Sequence, residues 1–279
     1  MKMMDLIFAA TTVVLPAVAL AETKITNSME EVQTIFAETK GETLGVFDVD
    51  MVLIQSSEPA FQMLNMMAHK PLLKSLLESL NPIEKDVTIN LTTQQSPSIL
   101  IEKQTPALIK KIQDKHPKCI ALTAALTGSL GSNIDQSTRR YEQLKAVGIN
   151  FSSSFPAFKS IVFDNFPPYR NNYPEFKEGI LCSNGEGSEL GKGKVLVEFL
   201  KKVNYEPQTI IFIDDREKNI VDVEKALLTY NSNIRYIGLV YKGADHYPTK
   251  MVDEKSFREK WLEVINQSKI IANAVLESQ

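Results

Sequence analysis

Apolar and polar positions follow two different rhythms along the chain from Leu44 onward. Short apolar runs of strand length recur, and stretches with apolar residues every three or four positions separate them. This alternation is typical of an α/β fold in which helices cover a mostly parallel sheet. We therefore predict a doubly wound, mostly parallel sheet. The predicted strands are 44–49, 118–123, 149–153, 209–213 and 234–240, and the predicted helices are 105–115, 136–147 and 194–203.

Two segments depart from this alternation and are predicted to be additions to the core. Residues 54–104 contain a helical, methionine-rich stretch followed by a polar run, and residues 154–190 contain a predicted hairpin. We expect the core to comprise residues 22–53 and 105–279, and residues 54–104 to form a mainly helical insertion.

Two further helices are predicted near the ends of the chain. Ser28 and Glu31 have the spacing of a capping box, which predicts a helix that starts at Ser28. After residue 254, apolar positions at helical spacing predict an amphipathic helix that docks Phe257, Trp261 and Ile265 onto the body of the protein.

The first 21 residues have the pattern of a secretory signal peptide. Lys2 precedes an apolar stretch from Leu6 to Leu20, and a small-x-small cleavage site ends at Ala21. A membrane anchor is the alternative, but Pro16 interrupts the stretch, which is shorter than the roughly 20 apolar residues that span a bilayer. We expect an exported protein, periplasmic or secreted, that has no membrane contact after the signal peptide is removed.

Composition narrows the classes of partner. The 279 residues are 43% apolar and 23% charged, with a net charge of −3, so the chain can bury a substantial core. Lysine and arginine are dispersed among acidic residues, which argues against a nucleic-acid partner. Cys119 and Cys182 allow either one disulfide bridge or two buried thiols. Nothing in the sequence indicates the oligomeric state.

Carboxylates and a hydroxyl follow the ends of the predicted strands. The first strand ends in Asp48-Val49-Asp50. Thr123 ends the second, and the pair Asp214 and Asp215 ends the strand at 209–213. Because ligands bind at the carboxyl ends of parallel strands, we expect these side chains to converge at one rim of the sheet.

A lysine and a metal ion complete the predicted site. The stretch "GKGK" places Lys192 and Lys194 near the start of the helix before the 209–213 strand. Like charges crowded together are costly at low dielectric, so the acidic group predicts a divalent cation. Hard oxygen ligands favour Mg²⁺ over Zn²⁺. A carboxylate in such a site can attack a phosphoryl group, while a hydroxyl and a lysine hold the non-bridging oxygens.

The order of these residues resembles that of the haloacid dehalogenase (HAD) superfamily. The stretch "DVDMV" at 48–52 matches the first motif of the superfamily, Asp-x-Asp-x-Thr or Val, and "IFIDD" at 211–215 matches the last, an apolar strand that ends in an acidic pair. Thr123 and Lys192 match the second and third motifs by their order in the chain. The resemblance covers residues 44–240 and implies a Rossmann-like core with the insertion at 54–104 as a cap. Thr127 and Lys194 are the alternatives for the two middle motifs.

The resemblance implies a Mg²⁺-dependent phosphatase that acts on a small phosphorylated substrate. Asp48 would become an aspartyl phosphate, and Asp50 would protonate the leaving group and then activate water. Superfamily members that attack carbon halides lack the second aspartate, so Asp50 favours phosphate esters. The last acidic pair of the superfamily is often spaced by three or four residues but is adjacent here, which leaves the division of roles within that pair open. The implied metal ligands are Asp48, Asp50, Asp214 and Asp215, and the implied phosphate-binding residues are Thr123 and Lys192.

Two other classes of function fit parts of the pattern. A secreted binding or interaction protein could keep the fold without turnover, but none of the catalytic carboxylates is substituted. A phospho-receiver domain uses similar residues, but its acidic pair comes first in the chain, whereas Asp214 and Asp215 come last. The phosphatase is therefore the preferred prediction.

Overall fold

The computed structural model describes residues 21–92, 96–129, 135–169, 171–185, 190–247 and 249–277. Almost the whole predicted signal peptide lies outside the described residues. The strands are β1 (Glu22–Thr26), β2 (Thr43–Phe47), β3 (Ile54–Ser56), β4 (Ser98–Leu100), β5 (Cys119–Thr123), β6 (Ser160–Val162), β7 (Glu175–Lys177), β8 (Ile180–Cys182), β9 (Thr209–Asp214) and β10 (Arg235–Tyr241). The helices are α1 (Met29–Glu38), α2 (Met63–Ala68), α3 (Lys70–Glu78), α4 (Pro82–Thr92), α5 (Thr105–Lys115), α6 (Gln136–Ala146), α7 (Gly191–Lys202), α8 (Glu217–Tyr230), α9 (Gly243–His246) and α10 (Glu254–Glu277).

A mostly parallel sheet forms the centre of the protein. Its strands lie in the order β1-β10-β9-β2-β5-β8-β7-β6. Along this order, every neighbouring pair from β1 across to β8 is parallel. The last two pairs, β8 with β7 and β7 with β6, are antiparallel. Strands β3 and β4 form a separate antiparallel pair. The predicted α/β fold with a mostly parallel sheet is confirmed.

Helices cover both faces of this sheet, which explains why its central strands are apolar at consecutive positions. In β9, Ile211 and Ile213 pack in the apolar layer that contains buried residues of α1 and α5. Ile210 and Phe212 point the other way, into the layer that contains buried residues of α7 and α8. Residues that follow the strands are therefore the ones that can leave the core and form a site.

The strand order reverses at β2. From β2 the chain adds β5 and β8 on one side and then returns to add β9 and β10 on the other. A crevice forms at such a reversal beyond the carboxyl ends of the strands, and ligands bind there. Phe47 of β2 pairs with Ile213 of β9 and Ala121 of β5, so the residues that follow these three strands lie at one rim.

The segment 149–153 is not a strand, and this prediction was wrong. Strand β5 pairs with β2 on one side and with β8, the second strand of a hairpin, on the other, so the segment cannot pair with β5. Phe151 is buried, but in irregular backbone close to the hairpin turn at Gly179. A Cβ at Gly179 would lie 2.4 Å from the carbonyl carbon of Phe151, so only glycine fits this approach. The hairpin itself lies within 154–190, where one was predicted.

Both predicted terminal helices are present. Helix α1 begins after Ser28, whose Oγ accepts a hydrogen bond from Glu31 N at 3.2 Å. In α10, Phe257, Trp261 and Ile265 are buried, as predicted. Every helix in the described part of the chain is too short or too polar to cross a lipid bilayer. Strand β1 was not predicted, because this short edge strand has few apolar residues.

Cys119 and Cys182 are both buried and unpaired. Burial raises the pKa of each thiol to about 12, because the thiolate would be poorly solvated. Of the two possibilities that the sequence left open, the structure has the buried thiols.

The segment between β3 and β4 is mainly helical and packs against α10. The indole ring of Trp261 meets Phe61 edge-on, with 5.4 Å between ring centroids, and its Nε1 donates to Ala60 O at 3.0 Å. Further along, Thr88 Oγ1 donates to Ser268 Oγ at 2.7 Å. Helix α10 therefore packs against an insertion that lies far earlier in the sequence.

We expect Trp261→Ala to lower the free energy of unfolding by about 3–5 kcal/mol, because the substitution removes a buried indole and its hydrogen bond. Ile270→Ala is the matched control on α10: Ile270 is 70% exposed, and its replacement is expected to change stability by no more than about 0.5 kcal/mol. Urea unfolding followed by far-ultraviolet circular dichroism measures both. Equal losses in the two variants would contradict the packing described here.

Candidate functional site

The turn after β2 carries the two aspartates of the first motif. Asp48 N donates to Ile213 O at 2.8 Å, which extends the pairing with β9 by one residue. Leu53 N then donates to Val49 O at 3.0 Å, so the chain folds back on itself directly beyond the strand. Asp48 is buried, whereas Asp50 keeps a third of its side chain exposed. The two carboxylates thus lie in different environments.

Asp214, the last residue of β9, lies next to Asp48 and is fully buried. Its carboxylate accepts hydrogen bonds from Asn219 Nδ2, at 2.9 Å to Oδ1 and 3.1 Å to Oδ2, and from Arg216 N at 2.9 Å. Both donors come from the start of α8 and the turn before it. The orientation of the carboxylate is therefore fixed by the backbone and by a neutral amide.

Three carboxylates come together at this rim. Asp48, Asp214 and Asp215 each offer one oxygen, and these oxygens all lie within 4.8 Å of one another. The Asp50 carboxylate, predicted as a fourth ligand, does not belong to this group. Within the described ranges, no other set of three or more acidic, histidine or cysteine side chains is close enough to share a metal ion.

Lys192 is buried inside this acidic group. Its Nζ lies 2.7 Å from Asp48 Oδ1 and 2.7 Å from Asp214 Oδ2. Lys194, the alternative in the sequence, lies two positions along α7 and is exposed. The geometry therefore brings Lys192, and not Lys194, to the carboxylates.

Close packing of α7 against α8 places Lys192 at this position. Gly193 N donates to Asp222 Oδ2 at 2.7 Å, which anchors the first turn of α7. A Cβ at residue 193 would lie 2.5 Å from Asp222 O and 2.7 Å from Ala226 Cβ. Glycine at this position lets the two helices approach, and the lysine before it then reaches the ends of β2 and β9.

The two candidate threonines differ in what their hydroxyls do. Thr123 ends β5 and is buried, and its Oγ1 accepts a hydrogen bond from Ala125 N at 3.2 Å. Thr127 Oγ1 donates to Tyr173 O at 2.7 Å and thereby ties down the loop that follows β5. The pairing of Phe47 with β5 places Thr123 at the same rim as Asp48.

Asp50 is bound by an arginine that the sequence did not indicate. Arg140 Nη1 donates to Asp50 Oδ1 at 3.0 Å, and Nη2 donates to Oδ2 at 2.6 Å. The Arg140 side chain is only 4% exposed. This ion pair holds the Asp50 carboxylate toward α6, away from the other three.

Comparison with protein families and curated proteins places the chain among bacterial relatives. Residues 25–271 match the family described as "Protein of unknown function (DUF2608)". The chain belongs to the DUF2608 family. An uncharacterised protein of Rickettsia bellii is 26% identical over 241 residues, which cover 82% of this chain and 80% of the relative. One of Rickettsia conorii is 27% identical over 256 residues, with 85% of each chain covered.

A more distant relative comes from Chlamydia trachomatis. It carries the name "Putative outer membrane protein" and is 24% identical over 208 residues, which cover 73% of this chain and 70% of the relative. Membership of the DUF2608 family thus extends over both the sheet and the insertion, but the family description assigns no chemistry to them.

The acidic group of this DUF2608 protein carries more negative than positive charge. Burial raises the pKa of Asp48 well above its ordinary value, and repulsion from Asp214 and Asp215 adds to this, against the opposing effect of Lys192. Burial and the Asp214 charge raise the pKa of Asp215 to about 6. The pKa of Lys192 is also raised, because its two carboxylate partners raise it by more than burial lowers it. A further cation would stabilise all three carboxylates in their ionised form.

Sequence reasoning missed two side chains that bind the motif aspartates. Asn219 lies in "DDREKN", five residues after Asp214, and the start of a helix directly after an acidic pair was a usable signal. Arg140 gave no such signal. It lies in "TRRYEQ", a polar helical stretch that is typical of a solvent-exposed face. Its partner Asp50 is 90 positions away in the sequence.

We expect Lys192→Met to lower the free energy of unfolding by about 3–5 kcal/mol in metal-free buffer, because it leaves buried carboxylates without their counter-ion. Lys194→Met is the matched control two positions along, and a change within about 0.5 kcal/mol is expected at this exposed site. Chemical denaturation in the presence of a chelator measures both. Similar losses for the two lysines would show that the buried ion pairs do not stabilise the fold.

Proposed function

We propose that this protein is a Mg²⁺-dependent phosphomonoester hydrolase that acts through an aspartyl-phosphate intermediate. The observation that carries the proposal is the convergence of Asp48, Asp214, Asp215 and Lys192 at the reversal point of a parallel sheet. The resemblance of these motifs to the HAD superfamily supports it independently. The presence of Asp50 two residues after Asp48 favours a phosphate ester over other substrates of that superfamily.

The donor set suits a hard divalent cation. Three carboxylate oxygens lie within 4.8 Å of one another, and the pKa values of Asp48 and Asp215 are raised, so the single positive charge of Lys192 does not balance the group. Oxygen ligands of this kind match Mg²⁺. When bound, Mg²⁺ would neutralise charge that develops on the phosphoryl oxygens and keep the carboxylates ionised. Asp48, Asp214 and Asp215 are the side chains that would hold it.

In the first half of the proposed reaction, an Asp48 carboxylate oxygen attacks phosphorus. The bond between phosphorus and the ester oxygen breaks, and Asp50 gives its proton to the departing alkoxide. Lys192 and the Thr123 hydroxyl bind non-bridging oxygens, over which charge spreads. The products of this half are an alcohol and a phosphorylated Asp48.

In the second half, water attacks the same phosphorus atom. Asp50, now a carboxylate, takes a proton from that water as the oxygen bonds to phosphorus. The bond between phosphorus and the Asp48 oxygen breaks, inorganic phosphate leaves, and both aspartates return to their starting state. Asp48 therefore needs a buried position close to Lys192, whereas Asp50 needs access to solvent, and their exposures agree with these needs.

Residues 54–104 are proposed to act as a cap that selects the substrate. Helix α4 lies against the loop that follows β5, where Leu126 N donates to Asn90 Oδ1 at 3.2 Å. Asp86, also on α4, accepts a hydrogen bond from Tyr169 OH. These contacts bring the insertion beside the rim on which Thr123 lies, which is where a substrate-selecting segment would be needed.

Export is proposed from the signal-peptide pattern of residues 1–21. The Chlamydia relative with an outer-membrane name is consistent with a protein family that leaves the cytoplasm. The mature protein would then meet its phosphorylated substrate in the periplasm or outside the cell.

We expect Asp48→Asn to abolish phosphatase turnover while the circular dichroism spectrum stays native, because an amide cannot attack phosphorus. The measurement is phosphate release from nucleotides, sugar phosphates and phosphoamino acids, with and without Mg²⁺. Asp114→Asn, at an exposed site on α5, is the control and should retain full activity. If the wild type hydrolyses none of these compounds, the alternative of a secreted binding protein without turnover gains weight. Equal turnover by Asp48→Asn and the wild type would exclude the mechanism.

We expect Asp214→Asn to raise the Mg²⁺ concentration required for half-maximal activity by about tenfold or more, equivalent to at least about 1.4 kcal/mol of binding free energy. The reason is the loss of one charged oxygen donor. Because Asp214 is fully buried, Asp215→Asn provides a second variant whose side chain is less enclosed. Magnesium titrations of activity compare both with Asp114→Asn, and unchanged curves for both site variants would show that the ligand assignment is wrong.

A further inference from the structure

Arg140 and Asp50 form a fork-to-fork ion pair at the edge of the candidate site. Both terminal guanidinium nitrogens donate, at 3.0 and 2.6 Å, to the two oxygens of one carboxylate. Bidentate pairs of this kind fix the orientation of a carboxylate as well as its position. The plane of the Asp50 carboxylate is therefore set by a side chain on a different element.

The guanidinium is itself held in place. Arg140 Nη1 also donates to Gln143 Oε1 at 3.1 Å, one helical turn further along α6. The start of α6 is fixed in turn, because Asp135 caps it by accepting a hydrogen bond from Thr138 N at 3.0 Å. Lys177 of β7 pairs with the same Asp135 at 3.1 Å. Helix α6, and Arg140 with it, is thus anchored to the sheet.

The two partners differ in exposure, and this difference points to function. The Arg140 side chain is 4% exposed, whereas that of Asp50 is 32% exposed. Burying a guanidinium is costly, and buried ion pairs contribute little net stability compared with apolar packing. Partial exposure lowers the cost of desolvating the pair, and it also leaves one carboxylate accessible at an open rim two residues from Asp48. A carboxylate that must exchange protons with a bound substrate does need that access.

The fork leaves Asp50 able to transfer a proton. A carboxylate has about four lone-pair positions, and bidentate arginine uses two of them. The remaining two are available for the proton that moves to the leaving group. As that proton leaves, negative charge forms on Asp50 directly opposite the guanidinium, so the ion pair stabilises the state that the step creates.

We propose that Arg140 is a positioning residue that orients Asp50 for proton transfer to the leaving group of the ester. This inference rests on the proposed phosphatase function. It predicts that the loss of rate on removal of the Arg140 side chain increases with the basicity of the leaving group. An alkoxide or phenoxide of high basicity needs it, whereas nitrophenolate leaves without it.

The test compares kcat and KM for phenyl phosphate and 4-nitrophenyl phosphate in the wild type, Arg140→Ala, Asp50→Asn and the double variant. We expect Arg140→Ala to lower kcat/KM for phenyl phosphate, which reports the step in which the leaving group departs, by about 100-fold, in the range of general acid catalysis. For 4-nitrophenyl phosphate the loss should be less than about tenfold, because the poorly basic leaving group takes little from general acid catalysis. The double variant should be no slower than Asp50→Asn, since the two residues act as one unit.

Two further variants separate positioning from folding and from general charge. Lys145→Ala removes an exposed cation on α6 and should leave both rates unchanged. Arg140→Lys keeps the charge but cannot form the fork, so it should recover only part of the phenyl phosphate rate. An equal loss of kcat/KM for both substrates, or losses in the double variant that multiply, would overturn the positioning role.

Failure of the inference is distinguishable from failure of the proposed function. A wild type that hydrolyses both substrates, with Asp48→Asn inactive and kcat/KM of Arg140→Ala lowered equally for both, overturns the role of Arg140 alone. A wild type that hydrolyses neither these two esters nor any of the nucleotides, sugar phosphates and phosphoamino acids overturns the phosphatase and, with it, this role for Arg140. The leaving-group dependence that we predict would support both.

Discussion

Repulsion among three carboxylates is the constraint on which the candidate site depends. Asp48, Asp214 and Asp215 are brought within 4.8 Å of one another by strands that end at the same level, and Lys192 is the cation placed among them. Such a group cannot form by chance packing, because each buried charge loses hydration. The close approach of α7 to α8 at Gly193 and the amide of Asn219 are both arranged to sustain it. The packing of α7 against α8 and the charges of the candidate site therefore depend on each other.

Much of this arrangement was predictable because it follows from sheet geometry. Apolar runs that end in Asp48, Thr123 and Asp214 must meet at one rim if the strands are parallel and adjacent, whatever their separation in sequence. Lys192 was predicted through its place near the start of the helix before the 209–213 strand, and the structure brings it to the carboxylates while Lys194 stays exposed. These inferences needed only strand direction and order.

The features that could not be predicted depend on contacts between distant elements, and no local sequence pattern indicates these contacts. Residues 149–153 have the apolar character of a strand, but β8 occupies the edge that they would need, and an apolar run alone does not reveal which edges are already paired. Arg140 is comparable: a single cation in a polar helix has no periodicity that marks it as buried. Its partner Asp50 was identified, yet the direction in which its carboxylate points depends on how α6 docks. Specific pairings between distant elements are therefore the part that required coordinates.

The contact between α10 and the insertion also has a consequence for how the polypeptide acquires its structure. The apolar surface around Phe61 is made early in synthesis, but the indole of Trp261 that covers it is made some 200 positions later. Contacts of such long range form late and slowly, and uncovered apolar surface is open to chaperones until then. A ribosome-bound chain therefore cannot complete the packing of the insertion before α10 has been synthesised. The export proposed above would benefit from that delay, because a chain must stay unfolded while it crosses a narrow secretion channel.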